Sequence, residues 1–142
     1  MPFISITRLR VRSWRYLPAF FIQAVRSARQ ARVASGSLAV SVLHEDGNVF
    51  WTRTVWDNEN SMKTYILGGV HRKMMPSLME WCDEAAVAHW IEESSQPPSW
   101  QGAHAQLQSI GRPSKVNHHS EAQSKHQIPE PAVASGKELH WK

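Results

Sequence analysis

Two histidines are the residues whose type and position best suit proton transfer. His71 follows a Gly68-Gly69 break between helical segments, and such a break can point a side chain into the space beneath the helices. A neutral imidazole there could act as a general base or as an axial haem ligand. Alternatively, His71 only caps the second helical segment. His89 shares one face of a predicted strand with Val87, so it is either a proton acceptor in a pocket or a hydrogen-bonded core histidine.

Tryptophans are concentrated in the same half of the chain, at Trp51, Trp56, Trp81 and Trp90. Flat aromatic walls suit planar substrates, and a cofactor-free oxygenase needs a dry pocket around a reduced aromatic. We therefore predict Trp51, Trp56 and Trp81 as pocket walls. Ordinary core packing is the alternative for the whole group, because aromatic faces usually serve that purpose.

Two arginines are candidates for holding an anionic group of a substrate. Arg53 shares a strand face with Trp51, and a buried arginine needs a partner. That partner is either a substrate anion or, as we favour, the carboxylate of Asp83 or Glu84. Arg72 could likewise hold a propionate or phenolate, although charges on a helix are commonly solvated.

No metal site is expected from the spacing of potential ligands. His118, His119 and His126 lie in a polar tail, and Cys82 is the single cysteine. The sequence contains no dinucleotide fingerprint, phosphate-binding loop, zinc-protease helix or nucleophile elbow. Because no motif defines an enzyme class, the fold is the better guide to function.

The elements that must position these residues follow the order β-α-β-β-α-β. Strands are predicted at 3–11, 37–44, 49–56 and 84–91, because apolar and polar residues alternate there. A helix at 17–33 has an apolar stripe at spacings of three and four, with Pro18 in its first turn and Gly36 beyond its end. Two helical segments, separated by Gly68-Gly69, fill residues 58–81.

This order predicts an α+β, ferredoxin-like domain over residues 1–93, with helices on one face of a four-stranded antiparallel sheet. The other face carries large apolar groups and needs cover, which a second copy would supply in a homodimer. Residues 94–116 are expected to be a linker and docking arm, in which Trp100, Leu107 and Ile110 could dock. Residues 117–142 are polar and predicted to be disordered.

Charge is distributed unevenly along the 142 residues, with seven arginines and no acid in the first 35. That composition suits a transit peptide or a nucleic-acid arm. However, these arginines are interleaved with strand and core residues, so we expect them to pair with acids of the same domain and do not expect nucleic-acid binding. No apolar run reaches the roughly 18 residues of a membrane span. One cysteine and no secretory signal favour a cytoplasmic protein.

The residues around these candidates resemble an uncharacterised bacterial family. The segments that carry the resemblance are FWTRTVWD at 50–57, GVHRKMMP at 69–76 and WCDEAAVAHW at 81–90, with Met62 between the first two. The family is related to antibiotic-biosynthesis-monooxygenase-like proteins and, more distantly, to spheroidene monooxygenase. The resemblance covers roughly residues 3–92 and implies a dimeric α/β barrel with a small pocket between sheet and helices.

The resemblance also bears on the site residues. Antibiotic-type oxygenases use Asn, Trp, Tyr and Arg in the pocket, and Trp56, Tyr65 and Arg53 are available here. Haem-degrading relatives use an Asn in the first strand, where this chain offers Ser5 and Thr7, a departure that weakens the haem-degradation reading.

Three hypotheses follow for function. The first is a monooxygenase-like protein that binds a small apolar or aromatic ligand. In its enzymatic form, this hypothesis is a cofactor-free oxygenase in which His71 or His89 forms a substrate carbanion. The second is a non-enzymatic binding or assembly module. The third is a haem protein with His71 as ligand. Fold does not decide among them, because this superfamily supports several chemistries.

Overall fold

The computed structural model describes the backbone of residues 2–132 and 137–141, whereas the side chains at 70, 71, 137 and 139–141 lie outside the described part. The elements in chain order are β1 (Phe3–Val11), a short 3-10 turn (Trp14–Tyr16), α1 (Leu17–Val33), β2 (Ser37–Glu45), β3 (Val49–Trp56), α2 (Glu59–Leu67), α3 (Gly69–Trp81), β4 (Cys82–Ile91), α4 (Trp100–Ser109), β5 (Arg112–Pro113), α5 (Glu121–Ser124) and β6 (Lys137–Trp141).

The predicted β-α-β-β-α-β order is confirmed. The strands form one antiparallel sheet in the order β5-β4-β1-β3-β2-β6, so the four central strands have the ferredoxin-like arrangement. Local sequence supports each connection. Gly47 and Asn48 both have positive φ in the β2–β3 hairpin, and Asn58 caps α2 by accepting a hydrogen bond from the Ser61 amide.

The two faces of the sheet follow the alternation of the strands. Ser5, Thr54 and His89 face α1, α2 and α3, since all three line the space beneath those helices. Residues of the opposite parity, such as Ile4 and Trp51, lie on the other face of the sheet. They pack into a separate core cluster. The face that a side chain meets is therefore fixed by its parity along the strand.

Helix α4 covers the face for which the sequence predicted a second copy. Trp100, Ala103 and Leu107 recur at spacings of three and four, and all are at most 4% exposed against Ile4, Trp51 and their neighbours. The uncovered face, which was the reason for predicting a homodimer, is therefore partly filled by the same chain. The homodimer itself stays a prediction.

The described part of the C-terminal segment differs from the expectation of a linker, an extended arm and a disordered tail. Trp100 and Leu107 do dock, but as part of a helix, while Ile110 remains 53% exposed. The polar residues beyond it form hydrogen bonds instead of a core: Gln123 bonds the backbone of Ala85, and Ser120 donates to Glu84. A composition poor in apolar residues predicts disorder for such a segment. Composition gives no information about these hydrogen bonds.

The expected pairing between the basic and acidic blocks of the chain is confirmed for part of the basic block. Arg8 and Arg10 both contact the carboxylate of Glu84, at 2.7 and 3.0 Å, and Arg12 contacts Glu80 at 2.9 Å. Three of the seven early arginines thus neutralise acids near the start of β4. Within the described residues, no helix is both long and apolar enough to cross a membrane.

Candidate functional site

A cavity of about 440 Å³ lies between the sheet and helices α1, α2 and α3. Its helix side is apolar, with Phe20, Ala24, Met62, Met74 and Leu78 among the lining residues. A volume of this size is typical of small-molecule sites. The cavity is therefore the candidate functional site, and it lies where the resemblance implies a pocket.

The floor of the cavity contains a polar row across three neighbouring strands. Ser5 on β1 pairs with His89 on β4 and with Thr54 on β3. Thr7 and Thr52 form a second paired position one step along the same face. Directly opposed residues on one sheet face lie about 5 Å apart, so these groups form a continuous polar strip under an apolar roof.

His89 is the titratable group of this floor. Its side chain is half-buried, its ring centroid lies 5.8 Å from that of Phe3, and its Nε2 atom is buried without a hydrogen-bond partner in the described part of the chain. Burial, together with the positive charge of Arg112, lowers the pKa of His89 below its ordinary value of 6.5. The imidazole is therefore neutral at pH 7, and Nε2 can accept a proton when Nδ1 carries the ring hydrogen.

Tyr65 belongs to the roof of the cavity. Its hydroxyl lies 2.6 Å from the Ser27 hydroxyl and donates to the Ser27 carbonyl oxygen at 3.1 Å, which ties α2 to α1. Burial raises the pKa of Tyr65, although the bond to the Ser27 hydroxyl partly offsets this rise. The phenol is therefore neutral at physiological pH. It presents an aromatic wall, and the ring of Trp56 lies behind it at 5.2 Å.

One end of the cavity is built by the segment 112–116, which follows α4. Strand β5 pairs with β4, so that Arg112 lies opposite Val87 and Pro113 opposite Ala86. This places Arg112 and Lys115 beside the floor that contains His89. Sequence reasoning missed both residues, because nothing in a two-residue strand reveals which edge it joins.

The predicted tryptophan walls are not brought to the cavity. Trp51 is fully buried on the opposite face of the sheet, where its Nε1 donates to Glu45 at 2.5 Å. Trp56 has the parity of the cavity face, but it packs into the core at the end of β3. Trp81 is half-buried at the end of α3, against the cluster that contains Phe20 and Phe50. The three rings serve as core, which was the alternative.

Arg53 is also on the face away from the cavity, and its predicted partner is wrong. It pairs with Glu138 at 2.9 Å rather than with Asp83 or Glu84. Strand β1 separates β3 from β4, and Arg8 from that intervening strand occupies Glu84. Arg53 also donates to the Pro98 carbonyl at 2.6 Å and stacks over Trp100 at 4.1 Å. Burial lowers its pKa, and the nearby Glu138 opposes that effect.

The remaining candidates stay predictions. Arg72 is exposed on α3 and does not line the cavity. The side chain of His71 lies outside the described residues, so neither its role as a base nor its role as a haem ligand is tested.

Burial and the neighbouring Asp83 raise the pKa of Cys82 to about 12, which makes this thiol a core residue rather than a nucleophile. Among the described residues, no group of three His, Cys, Asp or Glu side chains could hold a metal ion.

Comparison with known proteins identifies the fold. No protein-family model matches the chain, and no curated protein sequence matches it. Solved structures do match. A conserved protein from Methanosarcina mazei Go1 aligns with a TM-score of 0.59 at 14% identity, over 66% of this chain and 94% of that one. A protein from Nitrosomonas europaea, provisionally named an antibiotic biosynthesis monooxygenase, aligns at 0.58 and 12% identity over 65% and 90%.

A third match is SnoaB from Streptomyces nogalater, a cofactor-independent oxygenase, crystallised as a variant. It aligns with a TM-score of 0.55 at 12% identity, over 68% of this chain and 98% of that one. The fold is therefore that of the antibiotic-biosynthesis-monooxygenase-like proteins, and the resemblance found in the sequence is confirmed at the level of the fold. At these sequence identities the comparison establishes the fold, and it identifies neither a reaction nor a ligand.

Proposed function

We propose that the protein binds a small, largely aromatic molecule in the cavity and uses His89 as the proton acceptor of a cofactor-independent oxygenase. One observation carries the proposal: a neutral imidazole nitrogen is buried without a partner on the floor of a mainly apolar cavity. A buried polar atom normally finds a hydrogen bond, and one that lacks a partner beside a cavity is a candidate for completion by a ligand or a reacting group.

The chemistry requires a substrate whose C–H is acidified by a neighbouring carbonyl. His89 Nε2 takes that proton, and the electron pair left on carbon reduces O₂ and forms a C–O bond. The imidazolium returns the proton to the peroxide, and loss of water leaves a new carbonyl. One CH₂ and one O₂ thus become one C=O and one H₂O. The apolar helix side keeps water from the carbanion.

Binding is tested with N-phenyl-naphthylamine, a neutral dye that fluoresces in apolar surroundings. We expect saturable fluorescence that Ala24→Leu reduces, because Ala24 lines the cavity and the larger side chain fills it. Ala19→Leu is the matched control, since Ala19 is exposed on the same helix. Equal binding by both variants would mean that the dye does not enter the cavity.

Chemistry is tested with anthrone, a planar aromatic whose CH₂ is flanked by rings and activated by a ketone. We expect oxygen uptake and formation of anthraquinone, reduced roughly a hundredfold or more in His89→Gln, because loss of a general base typically costs that much. His119→Gln is the control, since His119 is exposed in the C-terminal segment. Dye binding without His89-dependent oxygen uptake would contradict the oxygenase and leave a binding module.

A further inference from the structure

We propose that segment 112–116 gives the cavity a cationic end, and that the ligand is therefore an apolar molecule carrying one anionic group, such as a carboxylate, sulfonate or phenolate. This inference rests on the proposed binding function and narrows it to a ligand class. It assigns a specificity role to Arg112 and Lys115, two residues outside the ferredoxin-like core.

The register of β5 directs Arg112 toward the cavity. Arg112 lies opposite Val87, and residues directly opposed in an antiparallel pair project from the same face of the sheet. Val87 lines the cavity, and Arg112 lines it beside Val87. Two residues further along β4 is His89, whose pKa the charge of Arg112 lowers. Register thus places Arg112 on the same face of the sheet as the proposed base, opposite a residue two positions from it along β4.

The backbone that carries these cations is held in place. The Ser114 amide donates to the Ala85 carbonyl at 2.9 Å. The Gln123 side chain accepts from the Ala85 amide at 3.0 Å and donates to the carbonyls of Ala85 and Ser114, at 2.9 and 3.0 Å. One amide side chain therefore clamps the segment onto the edge of β4. A pre-positioned charge loses less entropy on binding than a charge on a free loop.

The charge at this end is not neutralised within the described part of the chain. Of the described residues that line the cavity, those with full charges are Arg112 and Lys115, and none is acidic. Neither cation forms an ion pair with a described carboxylate, whereas Arg8, Arg10, Arg12 and Arg53 all do. An apolar cavity that ends in two unpaired cations is complementary to an apolar molecule that ends in an anion.

The test compares two dyes that differ by one charge. Anilinonaphthalene sulfonate has the ring system of N-phenyl-naphthylamine plus a sulfonate. We expect the wild-type protein to bind the sulfonated dye more tightly than the neutral one, and to lose that preference as ionic strength rises, because screening weakens exposed charge pairs.

Arg112→Gln and Lys115→Gln are the informative substitutions. Both residues are exposed, so each variant is expected to fold, which circular dichroism checks. We expect each to weaken sulfonated-dye binding by up to roughly fivefold, as for an exposed ion pair, and the double variant to abolish the preference. Binding of the neutral dye should not change. Arg29→Gln is the matched control, since Arg29 is an exposed cation on α1 that does not line the cavity.

The outcomes separate the two proposals. If the wild-type protein does not bind the neutral dye in the cavity, the proposed function fails. If it binds the neutral dye but shows no preference for the sulfonated one, the function stands and this inference is overturned. The inference is equally overturned if the preference survives in the double variant, or if Arg29→Gln removes it as well.

Discussion

Ser5 on β1 lies directly opposite His89 on β4, so the proposed base is held by the backbone ladder of two central strands. Its imidazole Nε2 has no protein partner in the described residues, and its position therefore depends on strand register rather than on a side-chain network. Because β1 is hydrogen-bonded on both sides, we expect this register to be among the last parts of the molecule to open. A base so held can remain both precisely placed and free to accept a proton.

The lowered pKa of His89 predicts a pH dependence of stability. Below pH 6.5 the unfolded chain takes up a proton at His89 that the folded chain resists, so the free energy of unfolding falls as pH falls through the lowered folded-state pKa. Burial is the main cause of the lowered pKa of His89, the charges of Arg112 and Lys63 act in the same direction, and Glu59 opposes them. Urea midpoints against pH should fall less steeply below pH 6.5 in His89→Gln than in the wild-type protein. Because other histidines are the same in both proteins, parallel curves would contradict the shift.

The sequence predicts most of the fold because its signals are local. Alternation in β1, β3 and β4 correctly groups Trp51 with Arg53 and places His89 with Val87. What alternation does not give is which group faces the helices, since both faces of this sheet carry large apolar residues. Which face meets the helices depends on how the helical connections between strands pack against the sheet. Trp51 and Arg53 lie on the face away from the cavity and so do not line it.

The rest of the site depends on contacts between distant residues. Arg112 reaches the cavity through pairing with Val87, and Glu138 reaches Arg53 across 85 positions of the chain. Neither pairing has a periodic signal, because a two-residue strand is too short to show one and Glu138 lies in a polar segment. Of the predicted site residues, His89 and Tyr65 line the cavity.

Glu84 is predicted to make the free energy of unfolding depend on pH, and to do so in a lower pH range than His89. Burial tends to raise its pKa, but hydrogen bonds from Arg8 and Ser120 and the charge of Arg8 outweigh burial and leave it below the ordinary value of 4.5. Its contribution is complete above pH 4.5 and is lost as pH falls through the lowered pKa. Glu84→Gln should therefore cost about 1–3 kcal/mol at neutral pH and flatten the stability profile below pH 4.5. The exposed Glu130→Gln should do neither, as chemical denaturation at several pH values can show.

Arg53 is predicted to matter for stability and not for the ligand. It holds β3, β6 and the Pro98 loop together on the face opposite the cavity. Arg53→Ala should lower the free energy of unfolding by about 1–3 kcal/mol, because it removes a donor whose hydrogen bonds the Pro98 carbonyl and the Ser41 hydroxyl accept. The affinity for N-phenyl-naphthylamine should stay within twofold of wild type. A large loss of affinity in a folded variant would return Arg53 to the list of substrate-binding residues.

Substitution of Leu107 tests whether α4 covers, in solution, the face of the sheet opposite the cavity. It is fully buried there, so Leu107→Ala should cost about 2–5 kcal/mol through lost burial and a new cavity. Gln101→Ala, an exposed substitution on the same helix, should change stability by less than about 0.5 kcal/mol. Light scattering on both variants then tests the predicted homodimer. If Leu107→Ala is as stable as wild type and the protein is dimeric, α4 does not occupy this face and a second copy is free to cover it.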